Sequence, residues 1–192
     1  PCDRNEARSF TKVSGTYTYI WIGHLNANKD PLLAVKAFSR FAEVEAAAHL
    51  YMVFQSGELL PQIRAWLEAH PVAAKQIHLI GKIEHADLEQ WYNSVDFILS
   101  SSHDEAAGVS VTEGMSCGCI PVLSSIPSFT TMIAGNCGIL YEKGNEQALL
   151  ETLQATIKMN IPEERSKTLQ QYEQHLSFKA IANRIRTILQ AL

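Results

Sequence analysis

Several absences narrow what this chain can be. No apolar run approaches the length of a membrane-spanning helix, which excludes a spanning segment of that kind. Basic residues are not in excess. Sixteen Lys and Arg against 20 Asp and Glu give a formal net charge of −4. That argues against duplex nucleic acid as a partner, because no broad basic field is present to replace counterions. A small anionic ligand needs only a few local cations and helix ends, so it is not excluded. Cysteine is sparse: Cys2, Cys117, Cys119 and Cys137. The C-x-C spacing of Cys117 and Cys119 is not that of a zinc knuckle, and no second pair matches it. Reduced cysteines in or near the core fit better, and they suit a reducing, cytoplasmic compartment. The first residues, Pro1 to Glu6, are polar and carry no apolar leader segment. A starting Met is also missing, which points to a piece of a longer protein. There is no G-x-G-x-x-G, no Walker motif and no Gly-x-Ser-x-Gly elbow, so dinucleotide and serine-hydrolase fingerprints are absent. Internal repeats and low-complexity tracts are absent as well.

What remains is a globular composition of 192 residues, 46% hydrophobic and 19% charged, enough for one domain of ordinary size or two small ones. Residues 1–16 read as a linker or lead-in strand and 17–192 as the domain. Short apolar runs then alternate with helical spacing. Strands are expected at Tyr17–Ile22, Leu50–Phe54, Ile77–Ile80, Phe97–Leu99, Ile120–Leu123 and Gly138–Tyr141. Helices are expected after Asp30 (an N-cap followed by Pro31), at Leu59–His70, Asp87–Ser94 and Val109–Cys117, and over 145–159, 163–174 and 178–191. Near-continuous apolar strands alternating with helices predict an α/β fold. It is a Rossmann-like parallel sheet of about six strands with helices on both faces. Ligands of such sheets bind beyond the carboxyl ends of the strands. The loops after the first, third and fourth strands, with Gly23, Gly81 and Glu105, are therefore where chemistry is expected.

The most informative stretch is Ser100 to Val122. It places Glu105 and Glu113, with seven residues between them, across a strand–loop–helix junction. The N–H groups of Ala107, Gly108 and Val109 fall where a helix begins, a position suited to a diphosphate. Gly108 removes a side chain that would block close approach. A carboxylate accepts from two adjacent hydroxyls, so Glu113 suits a ribose and Glu105 a hexose. The plainer alternative is an acidic residue favouring a helix dipole plus one surface Glu. Gly23 and Lys29, in the turn after the first strand, offer close backbone approach and a point charge for phosphate. The plainer alternative there is a βα turn with a solvated Lys. Ser102-His103-Asp104-Glu105 invites a metal or general-base reading, but adjacent residues rarely aim at one ion and no partner cluster is visible. Trp66, Trp91 and Tyr92 read as packing. His24, His49, His78 and His85 have no pairing legible in sequence.

Taken together these segments resemble the C-terminal, nucleotide-sugar-binding domain of GT-B-fold retaining glycosyltransferases, glycosyltransferase family 4 (group 1). The matches are Gly23, Leu25 and Lys29, then Ser102, Glu105, Gly108, Glu113, Met115, Gly118, Pro121 and Val122, and Leu176-Ser177-Phe178 opening the last helix. The resemblance runs from Tyr17 to Leu192. It implies one half of a GT-B fold and a metal-independent transferase with Lys29 and Glu105 as its catalytic pair. Lys29 would neutralise the diphosphate, Glu105 would hold the donor sugar and Glu113 the ribose hydroxyls. The N–H groups of Ala106, Ala107, Gly108 and Val109 would bind sugar and phosphate. Gly23 and position 24 would flank the phosphates, and Lys82-Ile83 would lie along the base. It implies no cofactor beyond a nucleoside-diphosphate sugar donor. The acceptor sugar or glycolipid would be reached through an N-terminal domain outside this chain, in a full-length protein peripheral to the inner face of the membrane and engaged in polysaccharide synthesis. By itself the chain would bind donor weakly and not turn over. The chain departs from the family pattern at His24 for Arg, Ser101 for Pro, Ala106-Ala107 for Gly-Phe, and Gln55-Ser56-Gly57 for Gly-Asp/Glu-Gly. These departures leave two other readings open: a non-catalytic relative with a decayed site, or a different sugar-nucleotide enzyme such as an epimerase or phosphorylase.

Overall fold

The structure, a computed structural model, describes residues 2–55 and 57–191. Pro1, Leu192 and Ser56 of the Gln55-Ser56-Gly57 segment lie outside the described residues. Six strands run parallel in the order β3-β2-β1-β4-β5-β6. They are β1 (Tyr17–His24), β2 (Ala48–Gln55), β3 (Ile77–Gly81), β4 (Phe97–Ser100), β5 (Ile120–Ser124) and β6 (Ile139–Tyr141). The helices are α1 (Arg4–Thr11), α2 (Pro31–Val44), α3 (Leu60–Ala69), α4 (Leu88–Ser94), α5 (Val109–Ser116), α6 (Pro127–Ile133), α7 (Glu146–Thr156), α8 (Ile161–Gln171) and α9 (Phe178–Gln190). The strand order reverses between β1 and β4, which opens a crevice at their carboxyl ends.

Alternation along each strand sorts the core into two layers. Tyr19 and Trp21 of β1, Leu50 and Met52 of β2, Phe97 and Leu99 of β4 and Val122 of β5 pack with α2, α3 and α7. Ile20, Tyr51, Ile98 and Leu123 face the other way, onto Trp91 and Tyr92 of α4, Met115 of α5 and Phe129 of α6. Both sides of the sheet are therefore covered, as the apolar strands required. Asp30 caps α2 by accepting from Leu33 N, with Pro31 at the first helical position.

Three segments differ from the sequence expectation. Residues 1–16, read as a linker or lead-in strand, contain the helix α1, capped by Asp3 and packed on α4. It buries little apolar surface and so shows no apolar period. Arginine side chains hold it instead: Arg4 pairs with Asp96 at 2.6 Å, and Arg8 Nε donates to Ser94 O at 2.9 Å. The second difference is α6, between β5 and β6, where no element was expected; it is short and starts at a proline. The helix expected over 163–174 starts earlier, at Ile161 beside its Asn160 cap, and passes into a π turn at Tyr172–Leu176. The last helix, α9, has no buried residue among those described. Phe178, Ile181, Ile185, Ile188 and Leu189 are exposed along it.

Candidate nucleotide-sugar site

The loops after β1, β3 and β4 meet at one edge of the sheet. The loops after β1 and β4 are fastened to each other across the crevice between these strands. His103 N donates to Asn28 O at 2.7 Å and Asn28 Nδ2 donates to Asp104 O at 3.0 Å. Ser101 Oγ donates to Lys29 O at 2.7 Å and itself accepts from the buried Trp21 Nε1 at 3.1 Å. His103 Nε2 and Asp30 Oδ2 stand 2.9 Å apart. His103 thus acts as a staple between the two loops. No group of three or more His, Cys, Asp or Glu side chains able to hold a metal occurs among the described residues.

Inside this stapled pair of loops, Lys29 Nζ rests on Glu105 Oε1, which also accepts from Ser102 Oγ at 2.9 Å. Gly23 lies close under the Trp21 ring: a Cβ there would stand 3.1 Å from it, and 3.5 Å from Lys29 Cγ, an ordinary contact. Gly108 sits at the N-cap of α5 with φ of 55°, and an added Cβ would strike Phe129 at 2.8 Å. Both its conformation and its packing require glycine. No side chain caps α5, so its first-turn N–H groups and the positive end of its dipole are open beside exposed Ala106, Ala107 and Val109.

Glu113 lies one turn further along α5. Tyr92 Oη donates to Glu113 Oε2 at 3.1 Å, and His85 Nε2 stands 3.8 Å from Oε1. Tyr92 is buried, and that burial together with the neighbouring carboxylate pushes its pKa well above the usual tyrosine range. Its hydroxyl therefore stays a donor. Three cavities adjoin along this edge. One of about 180 Å3 is lined by Gly23, His24, Gln55, Lys82, Ile83 and Leu88 among others. A second, of about 250 Å3, runs from Leu88 past Tyr92 to Glu113. A third, of about 480 Å3, lies from Glu113 past Ala107 and Val109 to Tyr172 and Phe178.

The residues named from the sequence thus lie along one edge, from Gly23, His24, Lys82 and Ile83 to Glu113. Sequence reading missed Tyr92, which it assigned to packing, and the Asn28, Asp30 and His103 staples. A buried Tyr next to a helix carrying a Glu has no spacing signature. Loop–loop bonds carry none either. Free, buried Cys117, Cys119 and Cys137 agree with the core reading, and burial holds all three thiols above their ordinary pKa, Cys137 at about 11.

The fold and crevice define the class: a Rossmann-like domain with the fold of GT-B C-terminal domains. The chain belongs to the glycosyl transferases group 1 family, which matches residues 3–175. Its fold is similar to the C-terminal domain of a group 1 family protein (LpcC) from Francisella tularensis. The TM-score is 0.82 at 17% identity, over 93% of this chain and 95% of that one. It is similar to Anabaena HepE, solved with UDP and glucose, at TM-score 0.81 and 15% identity, over 100% of this chain and 53% of that one. It is also similar to the pneumococcal O-GlcNAc transferase GtfA, solved with UDP and GlcNAc, at TM-score 0.78 and 18% identity, over 94% and 37%. This chain therefore spans about half or less of the length of those last two. A comparison with curated proteins finds no match.

Proposed function

We propose that this chain is the donor-binding half of a retaining, metal-independent glycosyltransferase of family 4, which transfers a sugar from a nucleoside-diphosphate sugar. The diphosphate lies against the open N-terminus of α5 and Lys29. Glu113 takes the ribose hydroxyls, Glu105 the sugar, and the Gly23–Ile83 cavity the base. The acceptor, a sugar or glycolipid, arrives from a second domain in the full-length protein, which works in the cytoplasm at the inner membrane face. Among the described residues no helix is long and apolar enough to cross a membrane. One observation carries the reading. In a group 1 chain, a lysine, an uncapped helix start and two carboxylates converge on one sheet edge.

Calorimetric titration with UDP, GDP and ADP, with and without a sugar attached, tests it. Binding of one base in the micromolar to millimolar range is expected, with no turnover by the isolated chain. No binding at millimolar nucleotide would sink the reading. A non-catalytic relative is the second reading, favoured by exposed His24 and by Ala106-Ala107, which bring no side chain beyond a methyl to the loop. Sugar transfer by the full-length protein would exclude it.

A further inference from the structure

We propose that the Lys29–Glu105 ion pair is a latch that opens fully only for an intact sugar nucleotide, so that the site discriminates against the bare nucleoside diphosphate. The inference rests on the functional reading above. Its starting point is that the two groups assigned to different parts of the donor are bound to each other. Lys29 Nζ sits on Glu105 Oε1, with side chains only 21% and 16% exposed.

The backbone cannot release this pair. Lys29 O is held by Ser101 Oγ, and Lys29 N donates to Asn26 Oδ1 at 3.0 Å. The glutamate loop is tied to the lysine loop through Asn28 with His103 and Asp104, and through Asp30 with His103. The contact resolves only by rotation of the two side chains. The lysine has the longer and freer stem, passing over Gly23.

Withdrawing one member of a partly buried pair strands the other. A diphosphate that draws Lys29 toward the start of α5 leaves the Glu105 carboxylate with Ser102 Oγ as its side-chain donor. Sugar hydroxyls restore the lost donors, since a carboxylate accepts several. The diphosphate and the sugar of one donor molecule therefore assist each other. A nucleoside diphosphate supplies no replacement, so it opens the latch only in part. Once the sugar has left, the lysine returns to Glu105 and the diphosphate product is held less firmly.

Glu105→Gln tests this with a change of sign. It removes the charge that holds Lys29. Titrated with UDP, GDP and ADP, the variant should bind the preferred diphosphate threefold or more tighter than the native chain does. Its preference for the glucose conjugate of that nucleotide over the bare diphosphate should fall. Asp104→Asn removes the same charge from the adjacent exposed residue and should leave diphosphate affinity unchanged. An equal gain in Asp104→Asn, or no gain in Glu105→Gln, overturns the latch. Thermal unfolding of Lys29→Met, Glu105→Gln and the double variant gives a readout without nucleotide. The losses in Tm should be non-additive, as expected for an interacting pair. Additive losses with nucleotide binding intact overturn the latch alone. Non-additive losses with no nucleotide bound by any variant or by the native chain overturn the functional reading and the latch with it.

Discussion

Glu105 and Glu113 stand at the two ends of one loop–helix junction, and they rest differently. Glu105 is closed on a cation, in a loop stapled to its neighbour. Glu113 is held by a neutral hydroxyl on one oxygen, with exposed His85 3.8 Å from the other, and its side chain borders two cavities. A neutral donor fixes the direction of a carboxylate while leaving its charge unmatched. A cation matches the charge and has to be displaced. The first arrangement is ready for a ligand, and the second is conditional on one. The same residue type, eight positions apart, thus stands open at one position and ion-paired at the other.

The sharpest way to break this comparison is at the ready end. Glu113→Ala should cost about 1.5–3 kcal/mol of nucleotide binding, roughly ten- to hundredfold in affinity, by loss of charge-assisted hydrogen bonds. Calorimetry with the preferred nucleotide reads it, and an unchanged affinity would remove Glu113 from the ribose. A smaller effect is expected from Tyr92→Phe, about 1 kcal/mol, because only the aim of Glu113 is lost. Its signature is a reduced preference for the ribonucleotide over the 2′-deoxynucleotide; equal loss for both would make Tyr92 merely structural. At the gated end, His103→Ala should loosen the staple and weaken the glucose conjugate by about threefold, on the scale of a modest hydrogen bond. Its ribose preference should stay intact. If ribose preference falls instead, the two ends are not separable.

The smallest effect lies away from both ends. His49 Nδ1 and His78 Nε2 stand 2.9 Å apart near the amino ends of β2 and β3, and burial lowers the pKa of both rings, in His78 with help from the neighbouring imidazole. Their folded pKa lies below the unfolded value of 6.5, so the unfolded chain takes up protons first. The stability the neutral pair contributes is present above pH 6.5 and is lost as pH falls below it through the folded value. Tm should drop between pH 7 and 5.5, and His78→Gln should flatten that slope. A slope unchanged by the substitution would remove the pair as its source. Any acid loss of binding that persists in His78→Gln belongs to the site.

The fold was legible because its information is apolar and periodic. Short runs such as Phe97–Leu99 and Ile120–Leu123 can be buried on both faces only in a covered parallel sheet. A family pattern singled out Lys29, Glu105, Gly108 and Glu113, and the structure brings them together along one edge. What escaped was held by polar bonds between distant residues. Helix α1 depends on arginines reaching residues 94–96, and the loop staples depend on Asn28, Asp30 and His103 meeting across the crevice. Such contacts leave no period in the sequence. Tyr92 was hidden for a different reason: its ring does belong to the core, and only its hydroxyl reaches Glu113.

Helix α1 has a practical bearing on where this domain can be cut. A version beginning at Tyr17, where the first strand starts, would delete Arg4 and leave Asp96, itself only 5% exposed, without its cation. It would also strip Arg8 from the carbonyl of Ser94 at the end of α4, the helix that carries Tyr92. A trimmed domain of that kind would carry a damaged support beneath Glu113, and its weak binding would then be misread as a poor active site.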